Sequence, residues 1–129
     1  MTVGLAAATA NAILDALCRS VTWVEPDATW VQLHVGDPGA VGTANVAVET
    51  DRVQATFGNA AVGGALSNTV QLQWLSVAGS EDYTHFSVWT ASSGGTFLFS
   101  GTITANAVTT GDTFTIPVGD LDVSLVVAA

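Results

Sequence analysis

Two histidines with carboxylates nearby are the residues of this chain whose types could support catalysis or metal binding. His34 precedes Asp37 by three positions, and His85 follows Glu81 and Asp82. Imidazole and carboxylate groups act as general acids and bases, and both bind zinc. Neither histidine lies in a ligand-type spacing such as H-x-x-x-H. We therefore interpret both as solvent-facing or hydrogen-bonded residues beside turns.

Other motifs of enzymes and cofactor sites are incomplete. Gly36, Gly39 and Gly42 are spaced by three but lack the G-K-[ST] ending of a phosphate-binding loop. Asp120 and Asp122 flank one residue and offer too few oxygen ligands for a calcium loop. A G-x-S-x-G nucleophile elbow does not occur. The sequence therefore predicts a protein that is not an enzyme and has no cofactor or metal site.

The charge of the chain excludes one class of partner and favours another. Its 129 residues carry 11 acidic side chains against Arg19 and Arg52, a formal net charge of -9. A basic patch for nucleic acid cannot be built, and anionic membranes are disfavoured. Charged residues make up only 10%, against about 25% in typical domains. Uncharged surfaces cost less to desolvate, which favours assembly with proteins over a monomer with a polar uncharged surface.

The N-terminus and the single cysteine bear on where the protein assembles. The first residues lack a basic n-region, and no apolar run approaches the roughly 18 residues of a membrane span. We expect neither classical secretion nor membrane insertion. Cys18 is the only cysteine, so an intrachain disulfide is excluded and cytosolic assembly is allowed. A buried, inert thiol is the expected state.

One helix is predicted, over about residues 4–19. Apolar residues recur at helical spacing and form a stripe on one side of the helix, which Ile13 and Leu17 extend. Asp15 and Arg19 form an i,i+4 ion pair. Thr2 is the expected N-cap. Alanine buries little area, so the helix should lie flat against its own sheet, which we favour, or against a neighbouring subunit. The stripe consists of Leu5, Ala8, Ala12 and Ala16.

Period-2 patterns predict that the rest of the chain is β structure. The clearest is a hairpin over 84–104, where apolar alternation resumes after Ser92, Ser93, Gly94 and Gly95. We expect a single domain, residues 1–129, folded as an antiparallel β-sandwich of about eight strands, with 58–65 as a surface loop. The remaining strands are predicted over 21–24, 30–35, 46–49, 52–57, 69–74, 114–118 and 121–127.

Some large side chains fall on the polar faces of predicted strands. Trp30 shares its face with Gln32 and His34, and Trp89 alternates with Val88. These residues either pack beneath the helix or form an exposed aromatic patch for a protein or a sugar. With the helix stripe they make the candidate interface: Leu5, Ala8, Ala12, Ala16, Trp30, Gln32, His34 and Trp89.

Four blocks of sequence, in order, carry a family resemblance. They read LHVGDPG at 33–39, SN at 67–68, THFSVW at 84–89 and GDTFTIPVG at 111–119. From about Leu33 onward the chain resembles a family of small tailed-bacteriophage virion proteins, described as tail-fibre or capsid decoration proteins. One departure is at 51–53, where the family pattern Tyr-Ala-Arg is replaced by Asp-Arg-Val.

The resemblance implies a structural role in the virion, assembled in the host cytoplasm. Because shaft repeats and coiled-coil heptads are lacking, we favour a head decoration protein that stabilises the capsid through contacts with the major capsid protein. The alternative is a minor tail or tail-fibre component that contacts tail proteins. A carbohydrate-binding module for host-surface glycans is the second alternative. We expect a homo-oligomer, and symmetry suggests a trimer.

Overall fold

The computed structural model describes residues 2–129, which form one helix followed by eight strands. The strands pair antiparallel throughout. This confirms the predicted mainly β fold with a single N-terminal helix. The elements, in chain order, are α1 (Ala7–Arg19), β1 (Thr29–His34), β2 (Val53–Ala55), β3 (Ala65–Ser67), β4 (Leu72–Trp74), β5 (Glu81–Trp89), β6 (Phe97–Val108), β7 (Phe114–Ile116) and β8 (Asp122–Ser124).

The strands divide into one large sheet and two small ones. The large sheet has the order β2-β1-β5-β6, and the small sheets pair β3 with β8 and β4 with β7. Phe114 of β7 lies 5.7 Å from Trp74 and 5.0 Å from Tyr83 of β5, measured between ring centroids. Leu33 and Val88 of the large sheet belong to the same buried cluster. The core therefore lies between the large sheet and the β4-β7 pair.

The hairpin of β5 and β6 is confirmed, and it is the longest paired element. Its register places Trp89 opposite Phe97 and Phe86 opposite Gly101. The connecting turn uses Gly94 and Gly95, whose φ angles of 63° and 75° suit glycine. Because both strands and the turn are adjacent in sequence, local pattern alone specifies the pairing.

The second face of the large sheet, which the sequence left as either packed or exposed, is covered at β1. Gln32 and His34 are 9% and 0% exposed. The segment after β1 folds back over this face, and the carbonyl of Ala44 lies 2.8 Å from Nδ1 of His34. At Gly42 a Cβ atom would lie 2.6 Å from the Phe97 ring. Only a residue without a side chain permits that approach.

Several predicted strands are shorter than their apolar patterns, and two are absent. Residues 21–24 form no strand, and Val24 is 84% exposed. The 46–49 stretch makes only an isolated bridge to β1. Val70 and Val118 belong to the predicted strands 69–74 and 114–118 but lie outside β4 and β7 and are 53% and 59% exposed. Residues 125–127 likewise extend beyond β8 and stay exposed. Alternation of apolar and polar residues indicates a tendency to form a strand, but the strand forms only where a neighbouring strand is available to pair with it.

Candidate functional site

His34 lies in a buried hydrogen-bond network with two side chains of β5. Its Nδ1 is 2.8 Å from the Ala44 carbonyl, and its Nε2 is 2.7 Å from Oγ of Ser87. Trp89 donates its indole N–H to the same Oγ at 2.8 Å. Because a carbonyl can only accept, Nδ1 carries the proton and Nε2 accepts from the Ser87 hydroxyl. Every polar group in the network is then satisfied with a neutral imidazole.

The surroundings of His34 oppose its protonation. Burial lowers the pKa of His34 most, the Ala44 carbonyl partly offsets this, and coulombic interactions with His85 and Arg52 lower it further. A second ring proton would point at Ser87 Oγ, and the Ser87 hydroxyl proton would then have to turn away from the ring and lose its acceptor. The ring is therefore held neutral near pH 7.

The Ser87–His34 pair has the residue types of a nucleophile and its base but not the access. Both side chains are 0% exposed, so a substrate cannot reach the hydroxyl. Asp37 does not join the pair, because its carboxylate accepts the backbone N–H of Gly39 at 2.8 Å. The network therefore fixes β1, β5 and the covering loop together. Sequence reasoning missed Ser87 because it lies 53 residues from His34 and no local motif connects them.

The carboxylates near His85 bind backbone groups. Glu81 accepts the N–H groups of Val48 and Glu49 at 2.9 and 3.1 Å. Glu49 is buried and accepts two further backbone N–H groups at 3.0 and 3.1 Å. His85 bonds to the neighbouring Thr84 hydroxyl at 2.7 Å. Within residues 2–129, no group of three or more His, Cys, Asp or Glu side chains could hold a metal ion.

Arg52 fastens the hairpin turn to the sheet. Its guanidinium lies 4.2 Å from the centroid of the Trp89 ring. It also donates to the carbonyls of Ala91 and Gly94 at 2.9 and 2.7 Å and to Gln32 Oε1 at 3.3 Å. Burial lowers the pKa of Arg52, and the stacked ring and three acceptors stabilise the cation. A planar guanidinium suits this combination better than a lysine would.

The structure places four of the candidate interface residues within the packing of the large sheet. Gln32, His34 and Trp89 are buried, and Trp30 is half-buried. Packing was one of the two interpretations that the sequence left open, but the layer over His34 is the loop after β1, which contributes the Ala44 carbonyl, and not the helix. The indole of Trp89 is 8% exposed and lies under Arg52. It cannot serve as a platform for a sugar ring.

The other four candidates lie on or beside α1, which docks on its own sheet. Leu5 bridges to Phe99 and is 40% exposed, Ala8 is exposed, and Ala12 and Ala16 are half-buried. The backbone N–H of residue 6 donates to residue 98 at 2.8 Å and anchors the first turn. The predicted N-cap Thr2 is wrong, because the cap is Ala6 and no side chain caps the helix.

The outer side of α1 is apolar and open, which corrects two predictions. Leu17, expected to extend the buried stripe, is 77% exposed, and Leu14 is 56% exposed. Cys18, expected to be buried, is exposed. The predicted pair of Asp15 and Arg19 is confirmed at 3.0 Å. The helix rests on the edge strand β6, so nothing in the described chain covers its far side.

Asn68 is a functional residue of the fold that sequence reasoning noted only within a family motif. Its side-chain amide donates to the carbonyls of Val70 and Pro117 at 2.9 and 3.0 Å. Its Oδ1 accepts the N–H groups of Gly119 and Leu121 at 3.1 and 2.9 Å. The Asn68 side chain thus joins the loop between β3 and β4 to the loop between β7 and β8 through hydrogen bonds. The only local signal of this role was an asparagine next to a strand, because the side-chain amide of asparagine can form hydrogen bonds that backbone groups otherwise form.

Comparison with known proteins gives the chain a family. The helix of the described residues 2–129 is too short to cross a membrane. No curated protein matches the sequence. Residues 4–124 match the family described as "Podophage GP4 fiber I protein gp80". The match includes all four blocks that carried the resemblance to phage virion proteins and confirms it. It spans nearly the whole sequence, and the chain belongs to this family of phage fibre proteins.

Proposed function

We propose that this chain is a non-enzymatic structural component of a tailed-phage fibre and acts through protein–protein contacts. The observation that carries the proposal is the family match over residues 4–124, whose description names a fibre. It favours the tail-fibre alternative over the head decoration role that we preferred from the sequence. Membership of a virion fibre family also implies that the protein works by assembly and not by turnover.

The use of the reactive side chains supports a structural role. His34 and Ser87 are inaccessible, and Glu49 and Glu81 accept backbone N–H groups. Arg52, one of two cations, is committed to the hairpin turn. Such groups are stabilising partners for backbone polar atoms, each net hydrogen bond contributing about 1 kcal/mol. A chain whose polar side chains stabilise its own backbone in this way is suited to a structural role as a rigid subunit.

The surface of the described chain suits contact with other proteins. Apolar side chains with more than half of their area exposed occur at many positions, among them Leu17, Val24, Val41, Val62 and Leu75. Apolar side chains on a surface that carries few charges cost little to desolvate against a partner. We infer that these surfaces are covered by neighbouring fibre or tail proteins in the assembled particle.

The location can be tested on intact phage particles. Particles are incubated with a gold-labelled antibody raised against the purified protein and imaged by electron microscopy, with pre-immune serum as the control. Label on the fibres is the expected result. Label spread over the head would overturn the fibre assignment and restore the decoration role, with the major capsid protein as the partner.

A further inference from the structure

We propose that the open edge of β6 is a docking site for an extended, basic segment of another protein, which adds to the large sheet as a further strand. The proposal goes beyond the assignment to a fibre, because it concerns the chemistry of a partner and not the place of the chain in the particle. It rests on unpaired backbone groups along β6, on a groove that runs beside them and on the acidic side chains that line this groove.

β6 is an edge strand of the large sheet, and only part of its outer edge is paired. The segment before α1 covers the first part, where the N–H of Ser100 donates to the Gly4 carbonyl at 2.8 Å and Leu5 bridges to Phe99. Beyond Ser100, no residue of the described chain pairs with this edge through its backbone. Residues two apart in a strand have the same orientation, so the backbone N–H and carbonyl of Thr102 also point outward. An unpaired edge of this kind can accept another strand.

A groove runs along the unpaired edge, between β6 and the strands of the two small sheets. It consists of two adjoining cavities of about 470 and about 290 Å³, both of which are lined by Asp122 of β8. Phe99 and Ile103 of β6 contribute apolar area to it and are half-buried at the margin of the core. Residues 101–106 of β6 extend over about 20 Å. We call this feature the edge groove, and its length suits an extended segment of about six residues.

The far end of the edge groove is less open to backbone pairing. The side-chain amide of Asn106 donates to the Thr104 carbonyl at 2.7 Å. The register between β5 and β6 also shifts in this region, after the pair of His85 and Thr102. A docked segment therefore pairs with the backbone near Thr102, and its remaining contacts are with the side chains of the groove.

The charge of the edge groove selects a basic segment. Asp120 and Asp122 both line it and are exposed. In the described chain, its two cavities are lined by no arginine, lysine or histidine side chain. A lysine or arginine on the docked segment would be attracted to these carboxylates, whereas an acidic segment would be repelled.

The same argument disfavours a second copy of this chain as the occupant. The chain contains no lysine, and its net charge is -9. Arg19 is paired with Asp15 on α1, and Arg52 bonds to carbonyl groups of the hairpin turn. A second copy thus has no uncommitted cation to place in the edge groove, and we assign the segment to a different protein.

Isothermal titration of the purified full chain with synthetic peptides tests the proposal. The probe is an acetylated and amidated hexapeptide of alternating valine and threonine in which one central residue is lysine. It should bind with a dissociation constant between about 10 μM and 1 mM. The same peptide with glutamate in place of the lysine should bind at least about fivefold more weakly, because the groove carries two carboxylates.

A substitution in β6 tests whether the peptide pairs with the strand edge. Thr102→Pro removes the outward N–H and should weaken binding of the lysine peptide at least about tenfold, since proline cannot donate to an added strand. Thr102→Val is the matched control, because it keeps the N–H and the branched shape of the side chain. Circular dichroism shows whether each variant is folded.

A substitution in β8 tests the charge and leaves the backbone of β6 unchanged. Asp122→Asn should weaken binding of the lysine peptide about threefold and should not weaken binding of the glutamate peptide. Asp27→Asn removes the same charge at an exposed position outside the edge groove and should bind both peptides as wild type does.

Three results would overturn the proposal: no binding of the lysine peptide up to about 1 mM, equal affinities for the lysine and glutamate peptides, or equal affinities of folded Thr102→Pro and Thr102→Val. Self-association of the wild type that the lysine peptide abolishes would overturn a different protein as the occupant. Peptide binding in solution does not depend on the location of the chain in the particle, so failure here leaves the fibre assignment intact.

Discussion

At the scale of single residues, the side chains best equipped for chemistry hold the backbone in place. His34 and Asn68 are 0% and 1% exposed, and each has all of its polar atoms hydrogen-bonded. Leaving a buried polar group unpaired costs about 1–3 kcal/mol. These two positions should therefore be much more sensitive to substitution than exposed polar residues.

Replacing Asn68 with alanine should lower the free energy of unfolding by about 2–3 kcal/mol, since it leaves the Leu121 N–H and the Val70 carbonyl without their side-chain partner. The Gly119 N–H and the Pro117 carbonyl lose a hydrogen bond to the side chain but each keep a backbone partner. Urea unfolding measures the loss. Asn106→Ala is the control: that amide is exposed and bonds only to Thr104 two residues away, so its effect should stay within about 0.5 kcal/mol. Equal unfolding midpoints for the two variants would show that Asn68 does not join the loops.

Acid should destabilise the protein through His34. Its pKa in the folded state lies below the ordinary value of 6.5 because of burial, so the unfolded chain binds the proton first as pH falls. The stability from neutral His34 is complete above about pH 6.5 and is lost as pH drops through the folded pKa. Urea unfolding at pH 7 and pH 5 should show a larger decline for wild type than for His34→Gln. His85→Gln, outside the network, should keep most of the wild-type decline. A His34→Gln variant with the full decline would assign the acid sensitivity to other groups.

At the scale of elements, the β5-β6 hairpin organises the large sheet. Its register sets the Phe86 ring over Gly101, and the ring also packs edge-on against Phe99 at 6.4 Å. A Cβ atom at Gly101 would lie 2.6 Å from the Phe86 ring. The absence of a side chain at position 101 thus determines how closely the ring approaches the sheet.

Gly101→Ala should reduce stability by about 1–3 kcal/mol, because the added methyl group collides with the Phe86 ring. The backbone at this position does not require glycine, as its φ is not positive. A smaller side chain at position 86 should relieve the collision. Gly101→Ala combined with Phe86→Leu should therefore cost at least about 0.5 kcal/mol less than the sum of the single changes. Additive effects in urea unfolding would mean that the methyl group is accommodated elsewhere.

At the scale of the whole molecule, stability comes from apolar packing and backbone-directed hydrogen bonds and little from ion pairs. Within the described part of the chain, Asp15–Arg19 is the one salt bridge, and it is exposed. An exposed pair of this kind contributes little. The remaining acidic side chains repel one another in the compact state, and the only other cation, Arg52, bonds to carbonyl oxygens and not to carboxylates.

Screening this repulsion should stabilise the fold. Raising sodium chloride from about 20 to about 300 mM should raise the melting temperature by about 2–5 °C, measured by differential scanning fluorimetry at low protein concentration. Potassium chloride at equal ionic strength should give the same shift, since the effect depends on screening and not on a bound ion. A melting temperature that falls with salt would mean that attractive ion pairs dominate.

The limits of sequence reasoning are clearest on β1 and α1. Alternation places Val31 and Leu33 on the face of β1 opposite Gln32 and His34, and both are fully buried. It could not reveal that a returning loop buries Gln32 and His34 on the other face, because the covering carbonyl comes from residue 44. On α1, helical spacing predicted the helix itself but assigned Leu17 to the wrong side. Which side of α1 is buried depends on how the helix is placed against the edge strand β6, and the spacing of residues along the helix does not contain that information.

The sequence by itself determined the mainly β class, the long hairpin, the N-terminal helix, the acidic surface and the resemblance to phage virion proteins. These follow from composition, from periodicity over neighbouring residues and from blocks that can be recognised in one dimension. Only the tertiary structure decided that His34 bonds to Ser87, that Asn68 joins two loops and that the outer side of α1 is open. Each of these depends on which distant segments meet, and the free energy of such contacts is set by packing in three dimensions and not by local pattern.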